Sequence, residues 1–231
     1  MSSLYVVATP IGNLGDVTLR SLEVLKSVAV IYAEDTRVSG KLLHRYEIKV
    51  PMRSYREAAE SRIIERAIAD VLKQLEDGND VAYVSDAGTP AVSDPGSLLV
   101  SRVVAAGFKV IPIPGASALT AILSVAGYGA MRPLFVGFLP KKKGHQTLMG
   151  KLAEGLRSEL CDAVIFYESP ERIIKFLDEL VAWNMPLRIC LGREMTKQFE
   201  EVLHGSLDEV RAELANRASI KGEICLLVTT A

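Results

Sequence analysis

VAYVSDAGTPAVSDPG, residues Val81 to Gly96, is the stretch that decides the fold. Val81–Val84 is a short, wholly apolar run, as expected of a parallel strand covered by helices on both faces. At the other end, Asp94 stands in the N-cap place and Pro95 at the first helical position. The spacing predicts a helix to about Ala106, ended by Gly107. A strand leading through a loop into a helix is the repeating unit of a parallel α/β sheet. The cap accounts for Ser93-Asp94-Pro95-Gly96. It leaves Asp86-Ala87-Gly88-Thr89-Pro90 over, at the carboxyl end of a strand, where open α/β sheets bind ligands. Gly88 permits a tight backbone there, so the remainder favours a ligand shelf.

Outward from this stretch the same rhythm continues. Strands are expected at Leu4–Ala8, Val28–Ala33, Val50–Tyr55 and Val110–Ile113. Helices are expected at Thr18–Ser27, about Val38 to Tyr46, and Ala58–Glu76, where Ile64, Ile68, Val71, Leu72 and Leu75 recur at helical spacing. Ile113-Pro114-Gly115 is the expected hinge, and the pattern then changes. A helix over Ala116–Ala126 is followed by strands at Leu134–Phe138, Ala163–Tyr167, Leu187–Leu191, Glu201–Leu203 and Glu223–Val228. Helices fall at Pro170–Val181, with Ser169 as N-cap, and at Leu207–Asn216, opened by a Ser206–Glu209 capping box. Strand pairs without a helix between them imply antiparallel pairing. The fold class is therefore α/β in two domains: a mostly parallel one over residues 1–113 and a mixed one over 114–231.

Composition narrows the function. The 231 residues are 49% hydrophobic and 24% charged, typical of a globular chain, and the net charge of −1 provides no global basic field. Any nucleic-acid contact must rest on a local basic patch. Cys161, Cys190 and Cys225 lie in or beside apolar runs, which reads as buried free thiols in a reducing cytoplasm. His44, His145 and His204 are scattered, so no metal is expected. The charge-free run Val110 to Met131 is long enough to span a bilayer. Pro112, Pro114 and Gly115 break it, so it reads as strand, turn and buried helix rather than a membrane segment.

Two further motifs sit at strand ends. TPIGNLGDVT, Thr9 to Thr18, follows the first strand; it lacks the GxGxxG spacing of a dinucleotide loop, and Asp16 or Thr18 could simply cap the next helix. YAEDTRVSGKLL, Tyr32 to Leu43, puts Glu34, Asp35 and Arg37 at the end of the second strand. Such a cluster could orient a polar substrate; it could equally be an Asp–Arg pair with Asp35 or Thr36 as a cap.

VSDAGTPAVSDPG resembles the signature of the RsmI-type ribosomal RNA 2′-O-ribose methyltransferases, which belong to the tetrapyrrole-methylase-like (class III) enzymes. The resemblance runs in order through LYVVATPIGNLGDVT, AEDTR, PIPGASA, VGFLPKKKG, IFYESPER, GREMTK and KGE, nearly the whole chain. It implies two α/β domains with a cleft between them for S-adenosyl-L-methionine, commonly in a homodimer. Carried over position by position, the cofactor would meet Pro10, Asp86, Ala87, Gly88 and Thr89, then Ala116, Ser117 and Ala118. Phe166 and Tyr167 would flank the adenine, with Leu191, Gly192, Arg193 and Glu223 at another edge. A neutral ribose hydroxyl is a poor nucleophile and needs a nearby base; Glu34 and Asp35 are the candidates, with Arg37 to position phosphate or base. The implied substrate is a decoding-centre cytidine of 16S rRNA in the small ribosomal subunit, contacted by Lys141, Lys142 and Lys143. Relatives often carry His and Asn where this chain reads RSYREAAESR, Arg53 to Arg62, and many continue past the KGE strand into a helical tail. With the near-neutral charge, these departures imply weaker RNA affinity than the family norm. The competing readings are a corrin-precursor methyltransferase on the same fold and a non-catalytic nucleotide- or RNA-binding module.

Overall fold

The computed structural model describes residues 2–57 and 61–230, so positions 58–60 of the expected third helix lie outside it. The chain forms two compact units, Met1–Ser117 and Ala118–Ala231.

In the first unit, β1 (Ser3–Val7), β2 (Val30–Ala33), β3 (Met52–Ser54), β4 (Val81–Val84) and β5 (Lys109–Ile113) form one sheet in the order β3-β2-β4-β1-β5. Every neighbouring pair is parallel. The helices are α1 (Leu19–Ser27), α2 (Thr36–Arg45), α3 (Ser61–Glu76) and α4 (Ser97–Ala105). Leu25, Leu42 and Leu43 of α1 and α2 pack with Val7, Ile31 and Val84. Ile68, Leu99 and Val103 of α3 and α4 pack with Leu4, Tyr32 and Tyr83 in a separate cluster, on the opposite face. Strand order explains the split. From β1 the chain crosses one way to β2; from β4, its neighbour, it crosses the other way to β5. Right-handed crossovers in opposite directions put their helices on opposite faces. The carboxyl ends of β1 and β4 therefore form the topological switch point, the usual ligand crevice of an open α/β sheet.

The second unit holds β6 (Pro133–Phe138), β7 (Ala163–Glu168), β8 (Leu187–Arg193), β9 (Glu201–Ser206) and β10 (Ile224–Thr230) in the order β6-β7-β10-β8-β9. Only β6 and β7 pair in parallel, so this sheet is mixed as expected. Its helices are α5 (Ala118–Ala126), α6 (His145–Arg157), α7 (Ile173–Val181) and α8 (Leu207–Ala215). The Ser206–Glu209 capping box is present. All three cysteines are buried and free.

Three expectations are corrected. Asp94 is not the cap of α4. The helix starts two residues after Pro95, with Gly96 (φ +129°) in the cap place and no side-chain cap of its own. Its first turn is instead capped from a distance by Glu57, which accepts from the Gly96 N–H and from the Leu98 N–H at 3.2 Å. Gly96 is also sterically required, since a Cβ there would lie 2.6 Å from the Tyr83 ring. Ser169 is not the cap of α7 either. Its carbonyl accepts from the Arg172 and Ile173 N–H groups, forming a separate turn, and α7 begins only at Ile173. Finally, α6 lies where no helix is expected. Leu148, Met149, Leu152, Ala153 and Leu156 carry helical spacing, but Gly150 and Gly155 weaken the signal.

Candidate active site

Three loops leave the carboxyl ends of β1, β4 and β5, and backbone bonds stitch them together. Thr9 and Gly88 exchange both backbone hydrogen bonds, at 2.8 and 3.0 Å. Thr9 Oγ1 donates to the Ser85 carbonyl at 3.3 Å, and Thr89 Oγ1 donates to the Ala116 carbonyl at 3.2 Å. The Ala8 N–H donates to the Ile113 carbonyl at 3.1 Å. Gly88 has φ +77°, and a Cβ there would press on Ile11 at 3.3 Å. It is therefore a hinge of the shelf. Its N–H is spent on Thr9, and its carbonyl already accepts one bond from the same residue. Pro10 is buried beneath, while Asp86 and Ala87 are exposed and Thr89 is half-buried.

The AEDTR segment is bonded to this shelf. The Asp35 N–H donates to Asp86 Oδ1 at 2.9 Å, and the Asp86 N–H donates to Glu34 Oε2 at 3.4 Å. Two motifs far apart in the chain thus form one junction at the switch point. Asp35 caps α2, accepting from the Arg37 N–H at 2.9 Å, and grips the Arg37 guanidinium at 2.5 Å. Arg56 stands 3.9 Å from the same carboxylate. Hydrogen bonds from the Arg37 side chain and backbone hold the Asp35 carboxyl well below the usual range. Glu34 goes the other way. Partial burial, then the negative Asp86 beside it, raises its pKa above the ordinary carboxylate value. Of the two acids, Glu34 is the stronger base.

The remaining expected residues fall in the second unit, Ser117 excepted. Phe166 is buried, its ring 4.9 Å from that of Phe176, in a strand flanked by β6 and β10. Tyr167 is half-buried between Phe135 and Phe138. Leu191 is fully buried in the core. Arg193 bonds Glu201 at 2.9 Å and the carbonyls of Lys221 and Phe199 at 3.2 Å, so its donors tie the loop after β8 to the segment before β10. Glu223 is exposed and pairs with Lys197 at 2.7 Å. Ala118 opens α5, and its carbonyl faces Cys225 Sγ. Lys141, Lys142 and Lys143 are exposed in the loop before α6. Among the described residues, no three His, Cys, Asp or Glu side chains could hold a metal ion, and no helix is long and apolar enough to cross a membrane.

A parallel α/β unit joined to a mixed one, with a loop junction at the first unit's switch point, defines a class. The family described as Tetrapyrrole (Corrin/Porphyrin) Methylases matches residues 3–211. Solved structures agree on the fold. A cobalt precorrin-4 methyltransferase covers 97% of this chain, and the chain 94% of it, at TM-score 0.70 and 15% identity. The uroporphyrin-III C-methyl transferase from Thermus thermophilus complexed with S-adenyl homocysteine gives 0.65 at 20% identity, with coverage of 98% and 97%. Closer in sequence is the Ribosomal RNA small subunit methyltransferase I of Borrelia garinii subsp. bavariensis, 45% identical over 98% of both chains. Those of Thermotoga maritima and Bacillus subtilis are 37% and 40% identical over 99% of this chain, and over 99% and 75% of their own. The chain belongs to the ribosomal RNA small subunit methyltransferase I family, within the tetrapyrrole methylases.

Proposed function

We propose that this protein transfers a methyl group from S-adenosyl-L-methionine to the ribose 2′-hydroxyl of a decoding-centre cytidine in 16S rRNA, in the cytoplasm and within the small ribosomal subunit. The observation that carries the reading is the bonded junction of Glu34, Asp35 and Asp86 at the switch point, in a chain so close to ribosomal RNA methyltransferases.

The residues present fit a cationic sulfonium cofactor. Asp86 and Ala87 offer an exposed, small-residue shelf, and Glu34, Asp35 and Asp86 give it negative character. Pro10, Gly88 and Thr89 shape the shelf. Ser117, Ala118, Phe166, Tyr167, Leu191, Arg193 and Glu223 are the proposed contacts carried by the resemblance. When bound, the cofactor supplies an electrophilic methyl group, and the protein must align the acceptor and take its proton. Glu34 is placed for the proton. Asp35 acts through Arg37, whose exposed guanidinium can hold the RNA backbone. Lys141, Lys142 and Lys143 contact RNA phosphates. The resemblance also implies a homodimer, which light scattering of the pure protein would check.

The test is incubation with labelled S-adenosyl-L-methionine and small ribosomal subunits lacking the modification. Label in a cytidine ribose supports the reading. Label in a tetrapyrrole precursor offered in parallel would replace it with the corrin-pathway activity, and cofactor binding without any transfer would leave a binding module.

A further inference from the structure

The second unit carries a pocket of about 400 Å³ just beyond the carboxyl ends of β6 and β7. Its cationic side chains come from two segments that the sequence separates: Lys141 and Lys142 from the loop before α6, Arg172 and Lys175 from the start of α7. Two acids share the lining, and both are already engaged. Glu168 is buried, accepts from the Ser169 N–H at 2.7 Å and pairs with Arg172 at 3.3 Å. Glu179 accepts from His145 at 2.6 Å and lies 4.0 Å from Lys175. Lys141 and Lys142 form no ion pair among the described residues. In a chain of net charge −1, this pocket concentrates positive charge.

The loop bearing the lysines is also held in place. His145 Nδ1 lies 2.8 Å from the Pro140 carbonyl, and its Nε2 faces the Glu179 carboxylate. The carbonyl accepts, as does the carboxylate when ionised, an arrangement that the imidazolium, with a donor on each nitrogen, satisfies in full. Glu179 first, then the Pro140 carbonyl, favour that charged form. His145 therefore clamps the base of the lysine loop to α7. The amino terminus of α6, with no side-chain cap of its own, opens from the same loop.

We propose that this pocket seats a backbone phosphate of the RNA substrate, with Lys141, Lys142 and Lys175 as its direct contacts and Arg172 held behind them by Glu168. The proposal rests on the RNA reading above. It divides the lysine run, because Lys143 does not line the pocket. It also adds Lys175, from a different element, which the run alone does not suggest.

The test is binding of the full protein to small ribosomal subunits across a salt series. The variants are Lys141→Ala/Lys142→Ala, Lys175→Ala and, as a charge-matched change on the exposed side of α6, Lys151→Ala. Calorimetric binding of S-adenosyl-L-methionine checks that each variant is folded. The slope of log affinity against log salt should flatten by about 1 to 2 for the double variant and about 1 for Lys175→Ala, with Lys151→Ala unchanged. Wild-type affinity and slope in both pocket variants would overturn the proposal. Inorganic phosphate at matched ionic strength separates the possible sources of the phosphate. Competition with RNA in the wild type but not in the double variant supports the assignment. Phosphate that shifts the His145 ring resonances, while RNA binding ignores all three lysines, makes this a free-phosphate site and overturns it. Because the readout is binding, a missing ribose label would refute the proposed reaction without touching this result.

Discussion

Glu34 and Asp35 are adjacent in the chain yet tuned in opposite directions. Asp35 spends its oxygens on the Arg37 backbone and guanidinium, which keeps it ionised and a weak base. Glu34, partly buried beside Asp86, is held at a higher pKa. The acid limb of the methyl-transfer pH profile should therefore follow Glu34. Glu34→Gln should lower kcat by about 10²-fold or more and remove that limb, a general base being worth about 10² to 10⁴. Asp35→Asn keeps a capping side chain on α2, so it should retain the limb while raising KM for RNA through the loosened Arg37. If the two variants exchange these profiles in single-turnover assays, the assignment to Glu34 is wrong. The sequence supplies both acids at a strand end. It cannot rank them, because the ranking depends on Asp86, which reaches this junction only through the β2–β4 pairing.

At the scale of the element, the loop between β4 and α4 separates what was legible from what was not. The strand is legible to the residue, because a buried parallel strand has one clear signature: Val81–Val84 is observed as expected. The helix start is misread, because its cap is tertiary: Glu57 reaches it across about forty positions of sequence. Glu57→Ala should cost about 1 kcal/mol in urea unfolding, the usual worth of a helix cap. An unchanged midpoint would contradict the cap. The mixed sheet offers a second check. Hydrogen bonds from Arg217, then Arg193, hold the Glu201 carboxyl down at about 2. A depressed carboxyl stabilises the fold above its unfolded pKa, about 4.3, and loses that contribution as pH falls through its folded value. Acid unfolding between about pH 4.5 and 2 should thus be blunter in Glu201→Gln, which carries no such proton linkage. A variant with the wild-type acid profile would place the linkage elsewhere. The basic pocket shows the same limit of local reading. The lysine run is visible as a run, whereas Lys175 and the His145 clamp join it only once α6 and α7 are packed.

Across the whole molecule, the change of rhythm after Ile113-Pro114-Gly115 foretells a parallel unit and a mixed one, and both sheets are present. The sequence carries that far because a strand pair with no helix between its members leaves too little chain for a parallel crossover. Strand order lies beyond it. The switch point exists because β4 inserts between β2 and β1, which no local pattern records. Four of the motifs that resemble the ribosomal RNA methyltransferases mark the loops around that point, and hydrogen bonds join them: Thr9 with Gly88, Glu34 and Asp35 with Asp86, and Thr89 with Ala116. The central claim is that this junction serves methyl transfer to an RNA ribose. The direct measurement is mass spectrometry of 16S rRNA recovered from small ribosomal subunits, previously lacking the modification, after incubation with the protein and S-adenosyl-L-methionine. The account predicts a single added ribose methyl on one decoding-centre cytidine with the wild type, and its near absence with Glu34→Gln. Unmodified ribose with the wild type, in subunits that it binds, would contradict it.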